Sequence, residues 1–501
     1  MALIEIKRFS YTYHGETVPA LKSVDLSLER GAFAVLTGAS GSGKSTLGKA
    51  LAGFLFADPD PQYSGKIIVN GVDMTQLPLY QASERVAYVQ QNPEDQFCTL
   101  SVQDEIAFGL ENLCLHPIII EQKIDKALKV VKGMDLKNRE LHSLSGGEKQ
   151  KVAIASMLAL NPDLLILDEP TSNLDPFATQ KIFESLNNLS QVEAMTVIII
   201  EHKLDQLLEL DPVIFSLDQG QISKGYHLPN PSNQQVYFSS PGKVSAEGKS
   251  SIDEKNPVIQ MKDATINIKG HEILHSINFT LAAGEFVALM GTNGSGKSTL
   301  LQTIMGFHQL AQGECIMFGK NADRLKTSER VPNIGFIFQN PDHQIFTQSV
   351  WEEITLTLKN LGQLNEANQQ HARRWLDNIG LQSRHKDHPQ RLSYGEKRRL
   401  NLAAILLHAP RLLLIDELLI GQDPFNANLW MRFLKKISET GVTVLLVIHQ
   451  PRLTLKYCDR VVFLEAGQIV IDNEVSSAFN SLLELGYHAF LPSAHHERVY
   501  A

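Results

Sequence analysis

The nine residues Gly38 to Thr46, GASGSGKST, constrain this chain more than any other stretch. They fit G-x-x-x-x-G-K-[ST], a loop that wraps phosphate oxygens in backbone N–H groups. The apolar run before it, Phe33 to Thr37, suits a buried strand, and Leu47 to Leu55 suits a helix. Gly38, Gly41 and Gly43 let the loop take positive φ and turn its N–H groups inward. The helix start adds the positive end of its dipole. Lys44 supplies a point charge for the terminal phosphates, and the Ser45 hydroxyl suits Mg²⁺. Ser40 and Thr46 complete the nucleotide-binding set. A second copy follows after about 250 residues, enough for one further domain. It runs Gly291-Thr292-Asn293-Gly294-Ser295-Gly296-Lys297-Ser298-Thr299, behind the apolar Phe286 to Met290. Gly291, Asn293, Gly294, Gly296, Lys297, Ser298 and Thr299 repeat the first set, so the chain is a tandem repeat of one nucleotide-binding module.

A chain of 501 residues with 43% hydrophobic and 20% charged residues has material for two cores. Its net charge of −9 weighs against a nucleic-acid partner, although a local basic patch remains compatible with it. Cys98, Cys114, Cys315 and Cys458 are scattered, with no C-x-x-C pair. They predict a reduced, cytosolic protein in which cysteines act as small buried hydrophobes. The N-terminus lacks a signal-peptide layout. No apolar run approaches the roughly 20 residues that cross a bilayer, so a membrane role would come through a partner.

Along the chain, residues 3–37 alternate as strand and turn, and Gly65 to Gly71 reads as a strand closing on an Asn-Gly turn. Residues 101–141 carry helical periodicity, with Ile124, Leu128, Val131 and Met134 on one face. Leu164 to Leu167 and Thr196 to Ile200 are wholly apolar, as are Leu412 to Ile415 and Val444 to Ile448. Strands apolar on both faces and alternating with helices predict a mainly parallel sheet covered on both sides. The expected organisation is a first domain over 2–225, a flexible linker over 226–256, a second domain over 257–490 and a tail over 491–501. The linker assignment rests on a Pro, Ser, Asn, Gln and Lys-rich stretch of low hydrophobicity. The tail holds His495-His496, which by themselves do not make a metal site.

The remaining chemistry comes in matched pairs. Asp168 and Asp416 end apolar strands, expected beside the strand of the phosphate loop, where each suits Mg²⁺. Glu169 and Glu417 follow, placed to orient or deprotonate an attacking water. His202 and His449 each end a later apolar strand and suit a γ-phosphate contact. Gln91 and Gln339 follow a strand and precede Asn-Pro, on a loop able to reach Mg²⁺ or water and to report the nucleotide state. Ser145, Gly146, Gly147 and Glu148 open a helix, as do Ser393, Gly395 and Glu396. Serine and glycine N–H groups at a helix start form an anion nest, and the serines are also good N-caps.

Phosphate loop, glutamine loop, LSGGE-type signature, apolar-Asp-Glu and terminal histidine together resemble the ATP-binding subunits of ABC transporters. The resemblance covers nearly all of the chain outside linker and tail, and LSGGEKQKVAIAS is its most specific part. It implies an α/β fold of two tandem P-loop NTPase domains. Each has a mainly parallel sheet with flanking helices, an antiparallel β subdomain, and a helical subdomain carrying the signature. It implies ATP and Mg²⁺ as cofactors, ATP hydrolysis coupled to transport, and a peripheral place on the cytoplasmic face of the cell membrane. It also implies two composite sites formed by the modules pairing within one chain. One joins Lys44, Ser45, Gln91, Asp168, Glu169 and His202 to Ser393, Gly395 and Glu396. The other joins Lys297, Ser298, Gln339, Asp416, Glu417 and His449 to Ser145, Gly146, Gly147 and Glu148.

Gln91 to Gln96, Gln339 to Gln344, Ile200 to Asp205 and Gly421-Gln422-Asp423-Pro424 are similar in wording to energy-coupling-factor ATPases. Those ATPases power uptake of vitamins or of metal ions, with an integral membrane coupling protein and a small substrate-binding membrane protein. In that family Tyr13 matches the aromatic residue that stacks on adenine, whereas Ile268 takes its place in the second module. Tyr394 replaces the first signature glycine, and Asp416-Glu417 lacks the following Pro-Thr. Gly421-Gln422-Asp423 also departs from Ser172-Asn173-Leu174-Asp175. Phe97, Ile345 and Phe346, beside the glutamine loops, are candidates for a partner groove or for core packing. The alternative reading is a soluble tandem ABC ATPase acting on ribosomes or nucleic acid. Such proteins carry a long charged helical linker, or zinc or iron–sulfur cysteines, which this sequence lacks. A fused sugar-importer ATPase would have a damaged second loop, whereas Gly291 to Thr299 is intact.

Overall fold

In the computed structural model the described residues are 2–225 and 257–492, apart from Pro59, Ser172, Asn173, Lys203 and Asp205 and the side chains of Val192 and Glu193. The expected linker over 226–256, the histidine pair of the tail, and Ser172-Asn173 lie outside them. So do Lys203 and Asp205 of the Ile200 to Asp205 run. The chain divides into two compact units, one built on each half of the sequence.

The first unit contains two sheets among the described residues. Strands β1 (Ala2–Thr12), β2 (Leu21–Glu29), β4 (Gln62–Val69) and β5 (Val72–Asp73) form an antiparallel sheet in the order β2-β1-β4-β5. Asn70 and Gly71, at φ 49° and 77°, make the tight turn that joins β4 to β5. Strands β3 (Phe33–Thr37), β6 (Val86–Val89), β7 (Leu164–Asp168), β8 (Thr196–Ile200), β9 (Val213–Asp218) and β10 (Gln221–Lys224) form the second sheet. Its order is β10-β9-β3-β8-β7-β6, parallel except for the β9–β10 hairpin.

Both faces of that sheet are covered, which explains the wholly apolar strands. Phe33 and Val35 of β3, with Leu165 and Leu167 of β7, join the core under the helices Val102–Asn112, Pro117–Val130 and Gly146–Ala159. Their neighbours Ala34, Leu36, Leu164 and Ile166 point the other way, into the core shared with the antiparallel sheet and the helix Lys44–Leu51.

The second unit repeats this plan. Strands β11 (Ile259–Ile268), β12 (His271–Leu281), β14 (Gln312–Met317) and β15 (Lys320–Asn321) form the antiparallel sheet. Strands β13 (Phe286–Gly291), β16 (Ile334–Ile337), β17 (Leu412–Ile415), β18 (Thr443–Val447), β19 (Arg460–Glu465) and β20 (Gln468–Glu474) form the other, in the order β16-β17-β18-β13-β19-β20.

Three expectations need correction. The strands carrying Asp168 and Asp416 are not adjacent to the phosphate-loop strands. β8 and β18, which lead to the histidines, lie between them. A parallel crossover can skip a position, and strand sequence carries no record of that. The region 101–141 is not one helix: the chain breaks at Leu113–His116, and its second helix ends at Val130. Lys132 then takes a left-handed φ of 51°, and Met134 turns out to solvent. Of the cysteines, Cys315 and Cys458 are buried, but Cys98 and Cys114 are exposed. Among the described residues no helix is long and apolar enough to cross a membrane.

Candidate active site

Each phosphate loop leaves its strand and starts a helix, Lys44–Leu51 in the first unit and Lys297–Met305 in the second. Gly38 has φ 146°, and a Cβ there would lie 2.1 Å from the Leu217 carbonyl oxygen. Gly291 has φ 144° and the same 2.1 Å approach to the Leu464 carbonyl. Strands β9 and β19 therefore brace the loops, and only glycine fits. Lys44 Nζ donates to the carbonyls of Gly38 (3.0 Å) and Ala39 (2.8 Å). Lys297 Nζ does the same to Gly291 (3.0 Å) and Thr292 (2.7 Å). Burial pushes the Lys44 ammonium below its usual value, opposed by the Glu169 carboxylate.

The acids arrive from the ends of β7 and β17. Ser45 hydrogen-bonds Asp168, and Ser298 hydrogen-bonds Asp416, so loop and strand converge in both units. Asp416 is buried, and its Oδ1 has no hydrogen-bond partner among the described residues. Burial, then the charge of Glu417, push its carboxyl up to about 6. A buried serine–aspartate pair with an orphan oxygen is a hard-cation donor set, so these residues fit Mg²⁺. Asp168 differs in one respect: Tyr88 of β6 donates to its Oδ2 at 2.5 Å. Burial raises the Asp168 carboxyl, and the Tyr88 and Ser45 hydrogen bonds pull it back. Burial and the neighbouring carboxylate raise the Tyr88 phenol. Phe336 holds the matching position in β16 and offers no donor. Tyr88 was missed at the sequence level because its phenol lies on a strand that otherwise reads as core.

Glu169 and Glu417 both adopt left-handed backbone, φ 46° and 52°. That conformation is strained for a glutamate, and such strain gathers at functional sites. Gln91 Nε2 donates to Glu169 Oε2 at 2.7 Å, and Gln339 Nε2 to Glu417 Oε2 at 2.8 Å. From the other side His202 Nε2 lies 3.1 Å from Glu169 Oε1, and His449 Nε2 lies 2.9 Å from Glu417 Oε1. The structure therefore brings glutamine, glutamate and histidine together in each unit, as an acid clamped between an amide and an imidazole. Tyr13, in the turn after β1, packs edge-on against Tyr11, and its hydroxyl lies 3.1 Å from Thr46 Oγ1. Ile268 ends β11 and packs against the core.

Ser145 and Ser393 cap the signature helices, each closing a capping box with Glu148 or Glu396. Arg139 pairs with Glu148 at 2.7 Å, and Arg384 with Glu396 at 3.0 Å. In each unit the cap serine and one arginine thus engage the signature glutamate. A Cβ added at Gly146 or at Gly395 would meet nothing within 4 Å. Ile345 is buried and Phe97 packs on the core, whereas Phe346 is 73% exposed.

Gly38→Ala should destabilise the first unit by about 3 kcal/mol, since the carbonyl behind it belongs to β9 and cannot withdraw. Gly41→Ala meets nothing within 4 Å; it should cost only about 1 kcal/mol, for its positive φ. Urea unfolding of the two variants checks the difference. Equal losses would show that β9 does not brace the loop.

The ABC transporter family model matches residues 21–172 and 274–419, one stretch in each unit. A Methanosarcina mazei protein named "Putative ABC transporter ATP-binding protein" is 32% identical, over 98% of this chain and 92% of its own. A Bacillus subtilis protein named "Putative HMP/thiamine import ATP-binding protein YkoD" is 31% identical, over 95% of this chain and 90% of its own. A solved structure of cbiO1 from Clostridium perfringens, part of the ABC transporter complex cbiONQ, is 31% identical over 45% of this chain and 88% of its own, with a TM-score of 0.41. On the two family-model matches and the full-length relatives, this chain belongs to the ATP-binding proteins of the ABC transporter family and is an ATPase that uses ATP and Mg²⁺.

Proposed function

We propose that this chain is the ATP-hydrolysing motor subunit of an energy-coupling-factor type importer for a vitamin or a metal ion. The observation that carries a two-site motor is the duplicated clamp: Glu169 and Glu417 each sit between a glutamine and a histidine. The import reading is supported by the wording of the glutamine loops and by the thiamine-import name of the Bacillus subtilis relative. In this reading the units are domains over 2–225 and 257–490. The chain works on the cytoplasmic face of the membrane, beside a coupling protein and a small substrate-binding membrane protein. Phe346, exposed beside the second glutamine loop, is the one of the three candidate groove residues free to meet such a partner.

Mg²⁺-bound ATP supplies an activated terminal phosphoryl group. Lys44 and Lys297 sit in loops already folded around an ammonium, and they hold negative charge at the helix starts. Ser45 with Asp168, and Ser298 with Asp416, hold the cation. Glu169 and Glu417 accept a water proton, and the histidines keep each acid aimed while fixing its second oxygen. Gln91 and Gln339 occupy one glutamate oxygen, so release of that bond frees the oxygen for its proton. Tyr13 supports the adenine of the first site. Ser145 and Ser393 present further N–H groups to anions.

Glu169→Gln and Glu417→Gln should each remove part of the ATP turnover and together nearly all of it, about 100-fold or more. Complete loss from Glu169→Gln with none from Glu417→Gln would end the two-site reading. Tyr88→Phe, measured in a Glu417→Gln background, should raise the Mg²⁺ concentration for half-maximal turnover about tenfold, as loss of a residue orienting a ligand does. An unmoved Mg²⁺ curve would remove Tyr88 from the site. Co-purification of the tagged chain in mild detergent, with mass spectrometry, should yield a multi-helix membrane protein and a small, very hydrophobic one. Ribosomal proteins or nucleic acid without a membrane partner would overturn the transport reading.

A further inference from the structure

The two units support their post-acid loops differently. In the first, Thr171 follows Glu169-Pro170, is fully buried, and donates its hydroxyl to Glu201 Oε2 at 2.7 Å. Glu201 stands at the end of β8, next to His202. Thr171 thus ties the loop to the end of the sheet strand. Between that helix and the glutamine loop lies a cavity of about 180 Å³. Asn92, Glu94, Gly146, Lys149, Gln150 and Leu174 line it. Gln150 is 4% exposed, and its Nε2 has no hydrogen-bond partner among the described residues.

The second unit has lost both halves of the first unit's tie. Leu419 stands where Thr171 does, and Ile448 where Glu201 does. Arg398, at the position of Gln150, is 3% exposed. Its Nη1 donates to the Ile420 carbonyl at 2.6 Å and also to the Leu418 carbonyl. Its Nη2 donates to the Tyr394 hydroxyl at 3.1 Å, with the guanidinium 4.6 Å from the ring centroid. The Tyr394 hydroxyl in turn donates to the Gln339 carbonyl at 3.4 Å. Tyr394 thus sits at the position of Gly146, which faces the cavity in the first unit. The lysine pairs beside these positions match, Lys149 with Glu94 and Lys397 with Asp342.

We propose that Tyr394 and Arg398 form a latch that couples the glutamine loop of the second unit to its signature helix and to the loop behind Glu417. Among the described residues the first unit has no such latch. Tyr394 is a positioning residue. By holding the Gln339 backbone it keeps the Gln339 amide on Glu417, so the second acid is restrained more firmly than the first. This last step rests on Glu417 being the hydrolytic acid, whereas the latch itself does not.

Backbone amide hydrogen exchange on the full chain, without nucleotide, tests the latch. Tyr394→Gly restores the residue the first unit carries, so the helix start tolerates it. It should speed exchange over 339–346 and 418–420 about tenfold and leave 91–98 unchanged. Tyr394→Phe keeps the ring against Arg398 and loses the hydroxyl. It should speed 339–346 about threefold and leave 418–420 unchanged. Gly146→Tyr should slow 91–98, because the cavity accepts the ring. Unchanged exchange over 339–346 in Tyr394→Gly, or equal acceleration in both glutamine loops, would overturn the latch. In a Glu169→Gln background Tyr394→Gly should raise kcat about threefold at unchanged KM, as expected when Glu417 is released. Faster exchange with an unchanged kcat would overturn the link to Glu417. If instead Glu417→Gln keeps full turnover, the hydrolytic reading fails while the exchange result still decides the latch.

Discussion

Everything in each unit depends on a carbonyl standing where a side chain would otherwise be. The Leu217 oxygen of β9 approaches the missing Cβ of Gly38, and the Leu464 oxygen of β19 approaches that of Gly291. This contact pins the start of the phosphate loop to the neighbouring strand. The loop then closes around its own lysine, whose ammonium bonds two loop carbonyls. The helix that follows is aimed by that closure, and the serine after the lysine is carried to the aspartate from β7 or β17. The site is therefore built on sheet geometry rather than on loop flexibility, and its positioning is inherited from the core.

Most of the architecture was legible because its signals are periodic or obligatory. Strands with no polar face demand a sheet covered on both sides, and alternate residues of β3 and β7 do enter separate cores. The Asn70-Gly71 turn and the strand–loop–helix order around Lys44 and Lys297 were equally plain. Strand order was not legible. β8 intervenes between β3 and β7, and nothing in a run of isoleucines states which neighbour it will take. The helical stretch 101–141 was less plain because its apolar spacing runs on past the helix ends, where Cys114 and Lys132 take left-handed φ of 53° and 51°.

In the site, the glutamine and histidine that the sequence paired with each glutamate lie against it, and the serine after each lysine lies against its aspartate. What sequence could not give was the supporting layer. Tyr88 reads as one more apolar strand residue, yet its hydroxyl reaches Asp168. Arg398, a charged residue in the signature helix, is buried and bonds backbone carbonyls. Such residues work through one long-range hydrogen bond each, and a single contact leaves no repeat or period to detect. A comparison of the two copies was the available signal, because Phe336 takes the position of Tyr88 and Arg398 that of Gln150 in the repeat.

The replacements in the second module also belong together physically. Loss of Thr171 without loss of Glu201 would leave a buried carboxylate short of a donor, a costly state in a low-dielectric interior. Replacing both with Leu419 and Ile448 removes that cost but frees the loop behind the acid. The free carbonyls of that loop then need a donor, and a buried arginine needs acceptors. Arg398 and the carbonyls of Leu418 and Ile420 satisfy one another. Tyr394 sets its ring 4.6 Å from the guanidinium and its hydroxyl against Nη2. Each departure from the first module thus creates the requirement that the next one meets. The second signature is altered at its first glycine as one part of that exchange, which moves the support of the loop from the sheet to the helix.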